Sequence, residues 1–183
     1  MKDIDEEILA LMQHERSHEK GLRLMMDTYQ SRLYWHVKRL MNDHSLAQDV
    51  LQDTFIKAYQ NIEKFKQESQ LYTWLYRIAT NEALQQLNKM KKMQKADENA
   101  EYHLMNLEAD SEGNNSKEIL EILEKAIQIL PEKQKLVFMM RYYDELSYDD
   151  ISKIVDMSVG TLKTNYHYAK QKIEDYIKTN HEA

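Results

Sequence analysis

Cysteine is absent from the chain, which removes disulfides, thiolate metal sites and cysteine nucleophiles together. Proline occurs once, at Pro131, and glycine three times, so little punctuates the chain except the ends of helices. An almost entirely helical, all-α protein is expected. No stretch approaches the ~20 consecutive apolar residues that a membrane-spanning helix needs, so no membrane insertion is expected. The opening MKDIDEEILALMQ is acidic and has no uninterrupted apolar run, which argues against a secretory leader. These absences lead to the expectation of a soluble, cytoplasmic protein.

What is present divides the chain in two. At 183 residues and 42% apolar content it can bury one core or two small ones. A net charge of −6 would count against nucleic-acid binding if it were evenly spread. It is not. Residues 96–118, ADENAEYHLMNLEADSEGNNSKE, hold seven acids against Lys117 alone, a net of −6, and the remainder balances at zero. This stretch also contains DSEGNNS, the one cluster of turn formers, and its apolar periodicity is weak. It reads as a flexible acidic linker over 96–117, joining small helical domains at 1–95 and 118–183.

His14, Glu15 and His18 spell His-Glu-x-x-His, the spacing at which two imidazoles on one helical face hold zinc beside a general base. The context breaks the pattern. Ile4, Ile8, Leu11 and Met12 mark an amphipathic helix, and Glu15 would fall inside its apolar stripe, so the helix stops first. Ser17 suits the N-cap of a second helix carrying Leu22, Met25, Met26, Tyr29, Leu33, Val37 and Leu40. A turn between His14 and His18 removes their shared face. The other histidines show no ligand-like spacing, so no metal, cofactor or catalytic residue is assigned.

The segment HSLAQDVLQDTFIKAYQNI opens with Ser45 and Gln48 as a capping box, and Ala47, Val50, Leu51, Thr54, Phe55, Ala58 and Ile62 form a core face. The opposite face shows Asp49, Gln52, Asp53, Ile56 and Gln60. An exposed Ile among carboxylates and amides suits a partner surface, and a lone exposed Ile is also ordinary. Next, a polar loop from Lys66 to Gln70 leads into a helix with Tyr72, Trp74 and Tyr76. Three large aromatics within five residues exceed what one helix face buries, so some are expected outward, where they stack on unpaired bases. The helix ends in Lys89, Lys91, Lys92 and Lys95 with no acid among them. That run suits phosphate tracking, or equally a solvated helix end favoured by the dipole.

The second half contains three consecutive helix starts: Pro131 in a first turn, Ser147 with Asp150 as a capping pair, and Ser158 after a short turn at Asp156 and Met157. A short helix, a tight turn and a longer helix make a helix-turn-helix. In the last helix Leu162, Tyr166, Ala169 and Ile173 form the buried stripe, while Thr161, Lys163, Thr164, His167, Tyr168 and Lys170 face outward. Residues 158–172 hold three lysines and no acid, so this face is locally positive.

Taken together, AQDVLQDTFIKAYQNIEKF, YTWLYRIATNEAL and LSYDDISKIVDMSVGTLKTNYHYAKQKI, in this order around an acidic linker, resemble the extracytoplasmic-function (ECF) members of the sigma-70 family. The resemblance covers nearly the whole chain and implies a sigma region 2 bundle followed by a sigma region 4 helix-turn-helix. It implies that Asp49, Gln52, Asp53 and Ile56 dock on the β′ clamp helices of core RNA polymerase. It implies that Lys66, Gln67, Glu68 and Ser69, with Tyr72, Arg77, Asn81, Lys89, Lys91 and Lys92, melt and hold the −10 region of promoter DNA, Asn81 contacting a base. In the second half it implies docking on the β flap and −35 reading through Ser158, Thr161, Lys163, Thr164, His167, Tyr168 and Lys170. The linker would thread the RNA exit channel, and an anti-sigma factor is a further implied partner. The function implied is polymerase recruitment and promoter opening without catalysis; the alternative is a stand-alone helix-turn-helix regulator, which leaves the first half unexplained.

Departures from the family pattern are local. Gln67 stands where the melting loop often has Gly, and Asp156 replaces the usual Gly of the turn. Asn165 and Tyr168 occupy positions where arginine is common in the recognition helix, which implies a weaker phosphate clamp and a different base preference.

Overall fold

The computed structural model describes residues 2–96 and 115–181; the expected linker falls largely outside them. Eight α-helices are described: α1 (Lys2–Met12), α2 (His18–Met41), α3 (His44–Asn61), α4 (Leu71–Ala96), α5 (Asn115–Gln128), α6 (Glu132–Tyr142), α7 (Tyr148–Val155) and α8 (Val159–His181). Among the described residues there is no strand.

In the first half α1 lies on α2, and α2, α3 and α4 pack on one another. Ile8, Met12, Met25, Tyr29, Leu33, Val37 and Leu75 are buried at the spacings the sequence set. Gly21 lets α1 approach α2: a Cβ built there would lie 2.4 Å from Met12 Cγ. Tyr29 donates its buried hydroxyl to Asp5 of α1, and burial, reinforced by that carboxylate, pushes the phenol well above its ordinary range. A short 3₁₀ turn, Glu15–Ser17, follows α1. It separates His14 from His18, as the sequence indicated.

Local details differ from the sequence expectation at several points. The cap of α3 is Asp43, whose carboxylate accepts from the Leu46 N–H at 2.8 Å, and Ser45 and Gln48 lie within the helix and are exposed. A carboxylate two residues earlier competes successfully because it also complements the helix dipole. Ser17 does precede α2, but its hydroxyl turns back to the carbonyl oxygens of Leu11 (2.7 Å) and His14, closing the end of α1. Met26 is exposed, at the edge of the α2 stripe. Pro131 is the residue before α6, one position outside the helix.

In the second half α5, α6 and α7 all pack on α8. Leu136 to Met140, five consecutive residues of α6, are buried, because α6 is enclosed by α8, by α7 and by α2 of the first half. Ser147 caps α7: its hydroxyl accepts from the Asp150 N–H at 3.1 Å and donates to the Asp150 carboxylate at 2.5 Å. Asp156 ends α7 in the left-handed region (φ 54°, ψ 47°), which Asp tolerates better than most residues. Ser158 then caps α8, accepting from the Thr161 N–H.

The two halves touch. Helix α4 lies along α7, and α2 meets α6. Sequence periodicity predicted two bundles and was silent on this contact.

Candidate nucleic-acid interface

Helix α3 presents Asp49, Gln52, Asp53 and Ile56 together on an exposed face, Ile56 with 46% of its surface open. The opposite face is fixed in the core by Ala47, Val50, Thr54, Phe55 and Ala58. Asp49 and Asp53 also line a groove of about 240 Å³ against Glu82, Gln85, Gln86 and Lys89 of α4. An apolar anchor ringed by acids and amides can seat a basic helical partner.

The loop before α4 exposes Lys66, Gln67 and Glu68 and half-buries Ser69. Gln67 has φ 57°, the left-handed region in which Gly is unstrained. The loop walls an open cavity of about 380 Å³, shared with Asp5, Glu6 and Leu9 of α1, Phe65, Leu71 and Lys153 of α7. Amide and hydroxyl groups at Gln67, Ser69 and Gln70 on an apolar floor suit a planar polar ring.

The aromatic residues of α4 do not stand outward. Tyr76 is 1% exposed with its ring 4.8 Å from that of His36, Trp74 is half-buried against Phe65 at 5.2 Å, and Tyr72 is half-buried edge-on to Tyr76. Only Tyr76 is buried outright and Tyr72 and Trp74 keep part of their surface open, but none of the three is presented outward as expected, because α4 is packed by α2, α3 and α7 and so covers more than one face. What α4 does expose is polar. Arg77 and Asn81 are exposed and run on through Gln85, Asn88 and Lys92 at spacings of three and four. Gln85 and Asn88 were missed by the sequence reading, although the spacing carried the signal. Lys89 is exposed beside this stripe, and Lys91 pairs with Glu132 at the start of α6.

Tyr72 and Thr73 meet the second half directly. Thr73 Oγ1 donates to Asp150 Oδ1 at 3.0 Å. Burial, and then the Asp150 carboxylate, push the Tyr72 phenol up. For Asp150 burial acts upward, but hydrogen bonds from Ser147, Tyr72 and Thr73 outweigh it and hold the carboxyl below its ordinary range.

In the second half Ser158, Thr161, Lys163, Thr164, His167, Tyr168 and Lys170 are all exposed, while Leu162 and Ala169 are fully buried behind them. The Ser158 cap, the Asp156 turn and the Ser152 hydroxyl, which donates to the Met157 carbonyl at 2.6 Å, fix α8 relative to α7. Lys163 Nζ leans back to lie 5.8 Å from the centre of the Tyr148 ring. A rigid helix with a positive, hydroxyl-rich outer face fits the width of a DNA major groove.

A helix-turn-helix tied to a helical half with its own polar faces defines a two-module nucleic-acid-binding protein. The Sigma-70 region 2 model matches residues 25–93 and the Sigma-70 region 4 model matches residues 120–173. The ECF RNA polymerase sigma-E factor of Haemophilus influenzae is 33% identical over 173 residues, covering 90% of this chain and 91% of that protein. The ECF RNA polymerase sigma factor SigW of Bacillus subtilis is 28% identical over 92% of this chain and 95% of its own. The chain belongs to the extracytoplasmic-function group of the sigma-70 family of sigma factors. Two solved structures share the fold. The sigma factor RpoE in complex with the anti-sigma factor NepR from Bartonella quintana superposes with a TM-score of 0.71 over 88% of this chain and 99% of its own, at 23% identity. CnrH in complex with the cytosolic domain of CnrY gives 0.70 over 97% of this chain and 99% of that one, at 14% identity.

Proposed function

We propose that this sigma factor binds core RNA polymerase through the α3 face, Asp49, Gln52, Asp53 and Ile56, on the β′ clamp helices. Its second half then docks on the β flap and reads the −35 element. Thr164 and His167 suit base edges, with Lys163 and Tyr168 beside them and Ser158, Thr161 and Lys170 nearer the phosphates. The Lys66–Ser69 loop and its cavity receive a base flipped from the −10 region, and Asn81 contacts a base. Tyr72, Arg77, Lys89, Lys91 and Lys92 hold the separated strand. The chain itself performs no catalysis and works in the cytoplasm, where its polymerase is. An anti-sigma factor is a fitting regulator, as the Bartonella quintana sigma factor that shares the fold was captured with one.

The observation that carries the reading is the exposed α3 face on the same chain as the helix-turn-helix. A stand-alone regulator has no use for that face. Tethering two modest DNA-binding modules to polymerase raises their effective concentration, so each alone can be weak. The test is run-off transcription on fragmented genomic DNA with core polymerase, sequencing the 5′ ends. New start sites sharing two upstream elements are expected. Tight operator binding without polymerase, and no initiation with it, would favour the regulator instead.

A further inference from the structure

We propose that the outer face of α2, with Trp35 as a stacking platform and Arg32 and Lys38 as its cations, binds unpaired nucleic acid and carries the separated promoter strand onward from α4. Residues 28–42 hold the three cations Arg32, Lys38 and Arg39 and no acid. Tyr29, Leu33, His36, Val37 and Leu40 are buried and fix which way this segment turns. The turn leaves Trp35 with 55% of its surface open, Arg32 exposed and Lys38 half-buried. Trp35 is backed edge-on by Tyr34 at 5.4 Å, and the Tyr34 hydroxyl lies 2.6 Å from His44 Nδ1. The indole is therefore held before a ligand arrives, which lowers the ordering cost of binding. Among the described residues neither Arg32 nor Lys38 is in an ion pair. Arg39 is already paired with Asp144 and is left out of the set.

Charge and stacking together choose the occupant. Helix α3 turns Asp49 and Asp53 outward and suits a basic partner, which the cations of α2 repel. An open indole between cations matches a single strand, with a base on the ring and phosphates on the charges. A duplex keeps its base faces stacked inside and offers the indole nothing. The face also continues the strand path. Burial pushes the Tyr72 and Tyr76 phenols up, and the Arg32 guanidinium is near enough to pull both back, so Arg32 stands where α2 meets the start of α4. Tyr72 belongs to the strand-holding set under Proposed function, on which this inference rests. Trp35 lies three residues beyond Arg32, about 4.5 Å of helix rise. A strand leaving Tyr72 meets the guanidinium first and the indole next.

The test uses the full chain and labelled oligo(dT) of about 12 nucleotides at low salt. Trp35 and Trp74 are the two tryptophans, so quenching present in the parent and missing in Trp35→Phe reports contact with Trp35 itself. Trp35→Ala is expected to weaken binding about tenfold and Trp35→Phe less, because a smaller ring still stacks. Arg32→Ala is expected to weaken binding and to reduce the salt slope by about 0.7. Parent-like affinity in folded Trp35→Ala, or no quenching of Trp35, overturns the proposal. A duplex or a polyglutamate peptide that quenches Trp35 as strongly also overturns it, since the face would then take any polyanion. Arg77→Ala on α4 keeps the two readings apart. Weaker binding there with parent-like Trp35→Ala rejects the α2 face alone. Weaker binding in Trp35→Ala with parent-like Arg77→Ala supports the α2 face and counts against the strand-holding role of α4.

Discussion

His36 Nδ1 lies 2.7 Å from Asp144 Oδ2, joining side chains 108 residues apart, and the same carboxylate accepts from Arg39. Both partners of the first pair are almost fully buried. His36 is further held by Thr80, 2.9 Å from its other nitrogen, and Arg39 lies over the Tyr143 ring at 5.0 Å. Removing the carboxylate strands two donors in a closed interface. Asp144→Ala is therefore expected to cost about 3 kcal/mol, roughly 6–12 °C in Tm, and thermal unfolding followed by circular dichroism measures it. A shift under 2 °C would mean that water reaches this site readily.

The two described glycines make opposite predictions. At Gly21 a methyl group meets Met12 Cγ at 2.4 Å and Leu11 Cβ at 3.1 Å, so Gly21→Ala forces α1 off α2 and destabilises by about 1–3 kcal/mol. At Gly160 the nearest atom is Ser158 Oγ at 3.9 Å, and Gly160→Ala in the first turn of α8 stabilises by about 0.5–1 kcal/mol. Denaturant unfolding of the two variants decides the sign of each.

Docking and folding separate cleanly on α3. Ile56 and Asp53 are exposed, so Ile56→Asp and Asp53→Lys leave Tm within about 2 °C of the parent chain. Each is expected to weaken binding to core polymerase at least tenfold, about 1.4 kcal/mol, in a fluorescence titration. Unchanged affinity in both would remove α3 from the polymerase interface.

Recognition by α8 divides by residue. His167→Ala is expected to relax preference at one promoter position, costing about 1–3 kcal/mol on the preferred base. Lys170→Ala is expected to weaken all promoters alike and to reduce the salt slope by about one. A matrix of promoter variants transcribed at two salt concentrations distinguishes them.

Asp150 gives a pH dependence with a definite sign. Its carboxyl is held below the ordinary range in the folded chain, against the pull of burial, by Ser147, Tyr72 and Thr73. A depressed carboxylate contributes stability that is present above its unfolded value and is lost as pH falls through the folded one. The contribution of Asp150 to thermal stability should therefore be fully present at neutral pH and be lost below about pH 4, read as Tm against pH. Asp150→Asn should abolish this part of the decline; an identical acid limb in the variant would assign it to other groups.

The sequence by itself determined the helices, their inward faces and the helix-turn-helix. Those features are local: apolar residues three and four apart must share a side, and Ser147, Asp156 and Ser158 have the side chains that start or stop a helix where the structure has them. The exposed face of α3 and that of α8 follow as complements of their buried stripes. Capping was less legible, since Asp43 and Ser45 both satisfy the local chemistry and only the geometry of the turn after α2 selects Asp43. The fate of the aromatic residues on α4 was not legible, because burying Tyr72, Trp74 and Tyr76 depends on how many neighbours a helix acquires. Nor did any pattern place Asp144 on His36 or Asp150 on Thr73. A hydrogen bond between residues tens of positions apart leaves no period in the chain, so tertiary structure alone decided that the two halves close on one another.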